Sequence, residues 1–172
     1  MQGPREVMRL SKEMEAEVKH LEDEQLANGV VVRFYDESRR VAGDRWQVKV
    51  RYDAVVKVSE TFWSLVSGDS ELIEEIRATL GAEVVLTDIN ERNFISEEEK
   101  EGLVSEIVSR ARENIFGYLA NPGFPERYFK RCFKDAREDI ERKKREVQVQ
   151  DNEDVEEHVD FSHLFSDVKK SE

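Results

Sequence analysis

The longest regular pattern in the sequence is an alternation of apolar and polar residues across positions 44–59. Apolar side chains from Trp46 to Val58 occupy every second position, and most of the positions between them are polar or charged. A period of two over this length is typical of a β-strand with one buried face and one solvated face. We therefore expect a long strand near the centre of a twisted antiparallel sheet.

The charge of the chain limits the partners that it can bind. Among 172 residues, 39 Asp and Glu stand against 27 Lys and Arg, which gives a net charge of -12. This negative field opposes contact with nucleic acid or an anionic membrane, so we expect neither as a partner. The single cysteine permits no internal disulfide, and the first residues lack the continuous apolar run of a leader peptide. These features favour a cytoplasmic protein.

Further strands are predicted on both sides of the central one. Residues 30–37 are rich in β-branched and aromatic side chains, and residues 82–94 read as another strand. In residues 82–94 the alternation of apolar residues weakens after Ile89, which indicates that the outer half of this strand lies at an edge of the sheet. Between the strands, residues 69–80 predict a helix with Asp69 or Ser70 as its cap.

Two more helices are predicted after the last strand. Ser96 and Glu99 form a capping box, and a broad apolar face follows over residues 103–119. A second helix restarts at Pro125 and carries an apolar stripe over residues 128–140. We expect both helices to cover the dry face of the sheet.

The two ends of the chain read differently from its middle. Residues 5–27 are charged, with apolar side chains three or four positions apart, and predict a helical N-terminal extension over residues 1–27. Residues 147–172 carry eight carboxylates against two lysines, a net charge of -6, and predict a disordered acidic tail. The folded domain is expected over residues 28–146. It is predicted to be α+β, with an antiparallel sheet of three to four strands packed against two C-terminal helices.

Over residues 28–140 this order of elements resembles the SecB family of bacterial export chaperones. The residues that carry the likeness at the helices are Ala111, Arg112, Glu113 and Ile115, followed by Gly123, Phe124 and Pro125. The passage from Asn93 into the first of these helices and the WQVKVRY stretch of the central strand are also similar to the family. Two features depart from it. A helix is inserted within residues 62–80, and Ser109 and Arg110 replace the proline and aromatic residue that usually precede the first motif.

The resemblance implies a holdase, a non-enzymatic and acidic homo-oligomer that keeps non-native polypeptides unfolded in apolar grooves. In that family an acidic tail contacts the export motor. The candidate client-binding residues in this chain are Phe62, Trp63, Phe124, Tyr128 and Phe129. Each of these side chains has an alternative role in the hydrophobic core, because aromatic residues at helical spacing are usually buried.

The alternative hypothesis is an adaptor that acts through the tail. Phe161, Leu164 and Phe165 form a short amphipathic cluster between acidic residues, which is the pattern of a segment that docks in a partner's groove. Such an adaptor loses its partner when the tail is deleted, whereas a holdase keeps client binding in its folded domain. A small-ligand-binding protein is a third possibility, and a deep polar pocket with converging acids would favour it.

No group of residues in the sequence predicts an enzyme, a cofactor or a metal centre. Cys132 lies on an apolar helical stripe and is expected to be a buried structural thiol rather than a nucleophile. His158 and His163 are five positions apart, a spacing that does not place two ligands on one helical face. Asp36 and Ser38 are expected to organise a turn through hydrogen bonds from backbone to side chain.

Overall fold

The computed structural model describes residues 18–156 of the chain, with side chains through residue 149. These residues form an α+β fold, an open antiparallel sheet of five strands with helices toward the C terminus. The strands are β1 (Lys19–Gln25), β2 (Val31–Asp36), β3 (Arg39–Ala42), β4 (Arg45–Lys57) and β5 (Glu83–Ser96). The helices are α1 (Glu60–Trp63), α2 (Ser70–Leu80), α3 (Glu97–Leu119) and α4 (Phe124–Glu156).

The central strand of the sheet is β4. β5 pairs with β4 along its whole length on one side, so β2 and β3 share the other side, and β1 lies outside β2. The chain bends between β2 and β3, where the backbone N–H of Ser38 donates to the Asp36 carboxylate at 2.9 Å. The backbone N–H of Lys49 donates to the Ser38 hydroxyl at 3.1 Å. The turn-forming role expected of Asp36 and Ser38 is confirmed.

The predicted alternation of buried and solvated residues is confirmed in β4. The side chains buried against the helices are Val48, Val50, Tyr52, Ala54 and Val56. The positions between them from Gln47 to Asp53 face the other side of the sheet and are partly exposed. Val55 is the exception on that second face. It is only 3% exposed, because Val31 and Val85 lie directly beside it in the ladder.

α3 covers the buried face of the sheet. Its apolar residues Val104, Ile107, Val108, Ala111 and Leu119 join the core formed by β2 and β4. The helix begins at the predicted capping box, in which the Glu99 carboxylate lies 2.6 Å from the Ser96 hydroxyl and accepts the Ser96 backbone N–H at 3.4 Å. Those hydrogen bonds lower the pKa of Glu99, because they stabilise its charged form.

The prediction that both C-terminal helices cover the sheet is wrong for α4. Only the first turns of α4, which carry Phe124, Tyr128 and Cys132, reach the sheet core. Farther along the helix, Phe129, Phe133, Ala136 and Ile140 form a second cluster around Ile76 of α2. The inserted α1 and α2 thus provide the apolar surface that α4 covers, and this role follows from packing rather than from the periodicity of α4.

Two segments near the ends also differ from expectation. Residues 19–25 were predicted as helix and form β1, which pairs antiparallel with β2 from Lys19 opposite Asp36 to Gln25 opposite Val31. Residues 1–17 of the predicted extension lie outside the described residues. α4 continues to Glu156, into the segment predicted as disordered, because a helix once nucleated extends at little cost per residue.

Candidate functional site

β5 forms one edge of the sheet. Among the described residues its only strand neighbour is β4. The Tyr128 hydroxyl donates to the carbonyl oxygen of Val85 at 2.8 Å, so Val85 directs its backbone groups away from β4. Alternate residues of an antiparallel strand direct their N–H and C=O to the same side. Thr87, Ile89 and Glu91 therefore direct theirs outward as well, and we call these backbone groups the β5 edge.

A groove of about 370 Å³ lies between the second half of β5 and α3. We call it the β5–α3 groove. It forms because α3 lies over β4 and leaves the groove-facing residues of β5 uncovered. Its apolar floor comprises Tyr52, Leu103, Ile107, Ala111 and Ile115. The floor is continuous with the hydrophobic core of the sheet, which fixes its shape.

Polar side chains form the two walls of the β5–α3 groove. The wall on β5 comprises Asp88, Asn90 and Arg92, and the wall on α3 comprises Glu106, Arg110 and Asn114. Glu106 and Arg110 form an ion pair at 2.5 Å along the helix. Since this pair neutralises itself, the Asp88 carboxylate and the Arg92 guanidinium are the charges that the groove offers to a binding partner.

Tyr52 connects the floor to the β5 wall. Its side chain is 5% exposed and lies opposite Asp88 in the ladder. Burial raises the pKa of the Tyr52 hydroxyl above its usual range, and the neighbouring Asp88 carboxylate raises it further. A tyrosine hydroxyl is protonated at neutral pH, so that of Tyr52 serves as a hydrogen-bond donor to the Asp88 carboxylate beside the groove.

An exposed aromatic residue lies at the end of the β5 edge. The pairing of β4 with β5 shifts by one residue between Trp46 and Val48, which marks a bulge in β5. Phe94 lies in this bulge with a φ of 61°, and its side chain is 74% exposed. A left-handed conformation at a bulky residue is uncommon and stores strain. The bulge thus presents Phe94 to solvent beside the outward-directed backbone groups at the end of β5.

No family model, curated protein or solved structure matches this chain.

The five aromatic residues predicted to bind clients lie together around the start of α4. Phe124 and Phe129 are 1% and 0% exposed and belong to the two cores. Phe62 stacks on Phe129 at 5.4 Å between ring centroids, and Trp63 meets the same ring edge-on at 5.0 Å. Tyr128 is half-buried and bonded to β5. These contacts agree with the alternative role in packing.

The remaining candidates give no second site within the described chain. Phe161, Leu164, Phe165, His158 and His163 lie outside the described residues. Cys132 is half-buried, and burial raises the pKa of its thiol. No group of three or more metal-ligating side chains occurs within residues 18–149. In the part of the chain that the structure describes, no helix combines the length and apolar character needed to cross a bilayer.

The open face of the sheet carries a second polar cluster whose charges pair with one another. Glu37 accepts hydrogen bonds from Lys49 at 2.9 Å and from Arg51 at 2.6 Å, and Arg51 also pairs with Asp53. The Arg51 guanidinium lies 4.3 Å from the centroid of the Tyr35 ring. Hydrogen bonds from Lys49 and then Arg51 lower the pKa of Glu37. Since the cluster neutralises itself, it offers less to a partner than the β5 edge does.

Sequence reasoning indicated the edge strand but missed the groove beside it. The apolar alternation is lost after Ile89 because Asn90 and Arg92 are polar, and these two residues form the β5 wall of the groove together with Asp88. Polar residues on the inward-facing phase of an otherwise apolar strand were the available signal. Their proximity to α3 depends on how that helix crosses the sheet, and no local pattern contains that information.

Proposed function

We propose that this protein is a non-enzymatic binding module of the holdase type, which holds extended polypeptide segments along the β5 edge and in the β5–α3 groove. The observation that carries the proposal is the juxtaposition of outward-directed backbone groups on β5, which pair with no other described strand, with an apolar-floored groove of about 370 Å³. This function agrees with the one implied by the resemblance to SecB-like chaperones. The single cysteine fits action in the reducing cytoplasm.

Backbone pairing supplies the part of this binding that does not depend on client sequence. An extended segment laid beside β5 exchanges main-chain hydrogen bonds with Thr87, Ile89 and Glu91, which is recognition by strand addition. Every polypeptide carries these backbone groups, so the same edge accepts many clients. Broad acceptance of this kind is what a holdase requires.

The groove supplies the preference for apolar segments. Side chains on one face of an added strand recur about every 7 Å, since residues rise about 3.3 Å each and alternate between faces. Those that point toward α3 meet the floor at Leu103, Ile107 and Ile115. Burial of a large apolar side chain stabilises a complex by about 1.5–3 kcal/mol. Phe94 adds an exposed ring at the end of the edge.

The opposite edge of the sheet suits this role less well. β1 has seven residues against 14 in β5. A bulge interrupts β1 between His20 and Glu22, and its Glu22 and Glu24 side chains pair with Arg112 of α3. Short, charged and bulged edges discourage strand addition. β5 is therefore the edge on which we place the binding site.

A proline substitution on the free side of β5 tests the proposal. Ile89→Pro removes the outward N–H and adds a ring beside it, while the ladder to β4 keeps its hydrogen bonds. We expect the affinity for an unfolded, fluorescently labelled polypeptide to fall about tenfold or more, which is about 1.4 kcal/mol. Fluorescence anisotropy measures the affinity, and suppression of client aggregation at stoichiometric ratios measures the activity.

Two controls make the result specific. Ile89→Thr keeps the N–H and a β-branched side chain, so it is expected to bind within about twofold of wild type. Asn90→Pro removes an inward N–H that pairs with β4, and is expected to lower the melting temperature instead. Binding by Ile89→Pro that equals wild type, in a protein that melts normally, would exclude the β5 edge.

A truncated variant that ends at Glu156 distinguishes the holdase hypothesis from the adaptor hypothesis. This truncation removes Phe161, Leu164 and Phe165 and leaves β5 and α3 intact. If it retains client binding, the site belongs to the folded domain. If client binding disappears with the tail while Ile89→Pro has no effect, the adaptor hypothesis replaces the proposal.

A further inference from the structure

A short polar sequence on β5 is complementary to itself in charge. Asp88 and Arg92 line the β5–α3 groove, two residues before and two residues after Asn90. Both side chains are exposed, and within residues 18–149 neither takes part in an ion pair. The Arg92 guanidinium donates to the backbone carbonyl of Glu91 at 2.7 Å, and Asp88 lies beside the neutral Tyr52 hydroxyl.

We propose that a second copy of this chain binds the β5 edge in antiparallel orientation, with Asn90 of each copy opposite Asn90 of the other. In this register Asp88 lies opposite the partner's Arg92, and the two-fold axis repeats the pair. The second copy occupies the edge that receives clients, so the dimer is a closed form of the binding site. The regulatory part of this inference rests on the proposed function, whereas the pairing of the two copies does not.

The direction of the backbone groups permits this register. Ile89 and Glu91 direct their N–H and C=O outward, in phase with Val85, whose carbonyl is bonded to Tyr128 outside the ladder. Asn90 directs its own groups toward β4. The two Asn90 residues thus form a non-hydrogen-bonded pair, in which Cα atoms approach to about 4.5 Å. On either side of that pair, Ile89 of one copy exchanges hydrogen bonds with the partner's Glu91, once the Arg92 guanidinium has left the Glu91 carbonyl to pair with the opposite Asp88.

Charge selects this register from its neighbours. A pairing centred on Asp88 places two carboxylates directly opposite each other, and one centred on Glu91 does the same. A pairing centred on Ile89 places no opposite charge across from the Asp88 carboxylate or the Arg92 guanidinium. Like charges directly opposite each other in a ladder are destabilising, and opposite charges stabilise it. Only the pairing centred on Asn90 matches both charges.

The two α3 helices can approach without a clash, and the shared ladder ends before Val85, where Tyr128 of α4 occupies the edge. A two-fold axis perpendicular to the sheet keeps both α3 helices on the same face. Three strand intervals then separate the two β4 strands, a distance of about 14 Å. The two grooves lie between the helices and merge above the paired β5 strands. The dimer therefore encloses both apolar floors that are open to solvent in a single copy.

The net charge of the chain keeps this closed form reversible. Each copy carries a net charge of -12, so long-range repulsion opposes the local attraction of the two Asp88–Arg92 pairs. A partner of this kind can be displaced by an extended apolar client, which brings less opposing charge to the same edge.

Charge reversal in the full-length chain tests the register. Asp88→Arg and Arg92→Asp each place like charges opposite each other, so we expect each to weaken self-association about tenfold or more in sedimentation velocity. The double variant that carries both substitutions restores opposite charges and is expected to return within about threefold of wild type. The pairing would be overturned by any one of three results. These are a wild type that remains monomeric, single variants that associate as wild type does, and a double variant that does not regain self-association.

A cysteine crosslink checks the position of the two-fold axis. Asn90→Cys in a Cys132→Ala background places two thiols on the axis, within reach of a disulfide, so a covalent dimer is expected on mild oxidation. Asn93→Cys in the same background lies about 20 Å from its counterpart and is expected to stay monomeric. A crosslink at position 93 and none at position 90 would place the axis elsewhere.

Client binding is measured separately with the same labelled unfolded polypeptide. The wild-type chain is titrated below and above the concentration at which it self-associates, and its client affinity is expected to fall as the dimer forms, because the second copy occupies the same edge. A dimer with charge rescue but no client binding would refute the proposed function and leave the pairing intact. Client binding by a strictly monomeric wild type would refute the pairing and leave the proposed function intact.

Discussion

Phe94 combines two properties that a packed residue would not have. It is the one non-glycine residue with positive φ among those that the structure describes, and it is also the most exposed large apolar side chain there. Neither property stabilises the monomer. A side chain that is held in a strained conformation and left in water is expected to gain its contacts on binding.

Replacing Phe94 by glycine tests this interpretation. Phe94→Gly relieves the left-handed strain and loses little burial, so the free energy of unfolding is expected to rise by up to about 1 kcal/mol. Client affinity is expected to fall at the same time. Urea denaturation and anisotropy measure the two quantities. Asn93→Gly is the control and should be slightly destabilising, and a destabilised Phe94→Gly variant would contradict the argument.

Glu37 predicts a specific dependence of stability on pH. Its ordinary pKa of 4.5 is lowered in the fold by hydrogen bonds from Lys49 and then Arg51. A lowered pKa gives stability that is present above pH 4.5 and is lost as the pH falls through the folded-state value.

The pH dependence is checked with Glu37→Gln. This variant is expected to be less stable than wild type by about 1 kcal/mol at pH 7, since both cations lose a charged acceptor that is only partly solvated. The difference should shrink below pH 4.5 in urea titrations at several pH values. A difference that stays constant from pH 7 to pH 3 would rule out this role.

At the scale of elements, the long alternating strand and the capped α3 were predictable, and β1 was not. β4 alternates because it is central and one of its faces is buried along its whole length. β1 is an edge strand in which charged residues fill most positions, so its sequence contains little period-two signal. Its strand conformation comes from pairing with β2 and from the ion pairs of Glu22 and Glu24 with Arg112. Tertiary contacts thus override a local preference for helix.

The turn between β1 and β2 also holds the end of α3. The Asn28 side-chain amide donates to the carbonyl of Leu119 at 2.6 Å and to that of Asn121 at 2.9 Å. Asn28→Ala leaves both carbonyls without this donor and is expected to cost about 1–2 kcal/mol in urea denaturation. Asn28→Asp keeps the size and the acceptor for the Val30 N–H but not the donor. Asn28→Asp should lose at least as much stability as Asn28→Ala. If Asn28→Ala is as stable as wild type, water replaces the hydrogen bonds from the Asn28 amide to the two carbonyls.

At the scale of the whole molecule, the described residues form two separate hydrophobic cores. The sheet and α3 form one core, while α1, α2 and α4 form the other around Ile76 and Phe129. Since α4 is occupied by the inserted helices, it covers only the start of β5 through Tyr128. The second half of the β5 edge and its groove remain open as a consequence. The inserted helices α1 and α2 therefore help to leave the candidate site uncovered.

The sequence alone determined the elements whose signals are local. Alternation specified β4, a capping box specified the start of α3, and Asp36 and Ser38 specified the bend before β3. The tertiary structure decided which surfaces meet, because contacts between residues far apart in the chain leave no periodic trace. It placed α4 on α2 rather than on the sheet, made a strand of residues 19–25, and set α3 beside Asp88, Asn90 and Arg92 to form the groove.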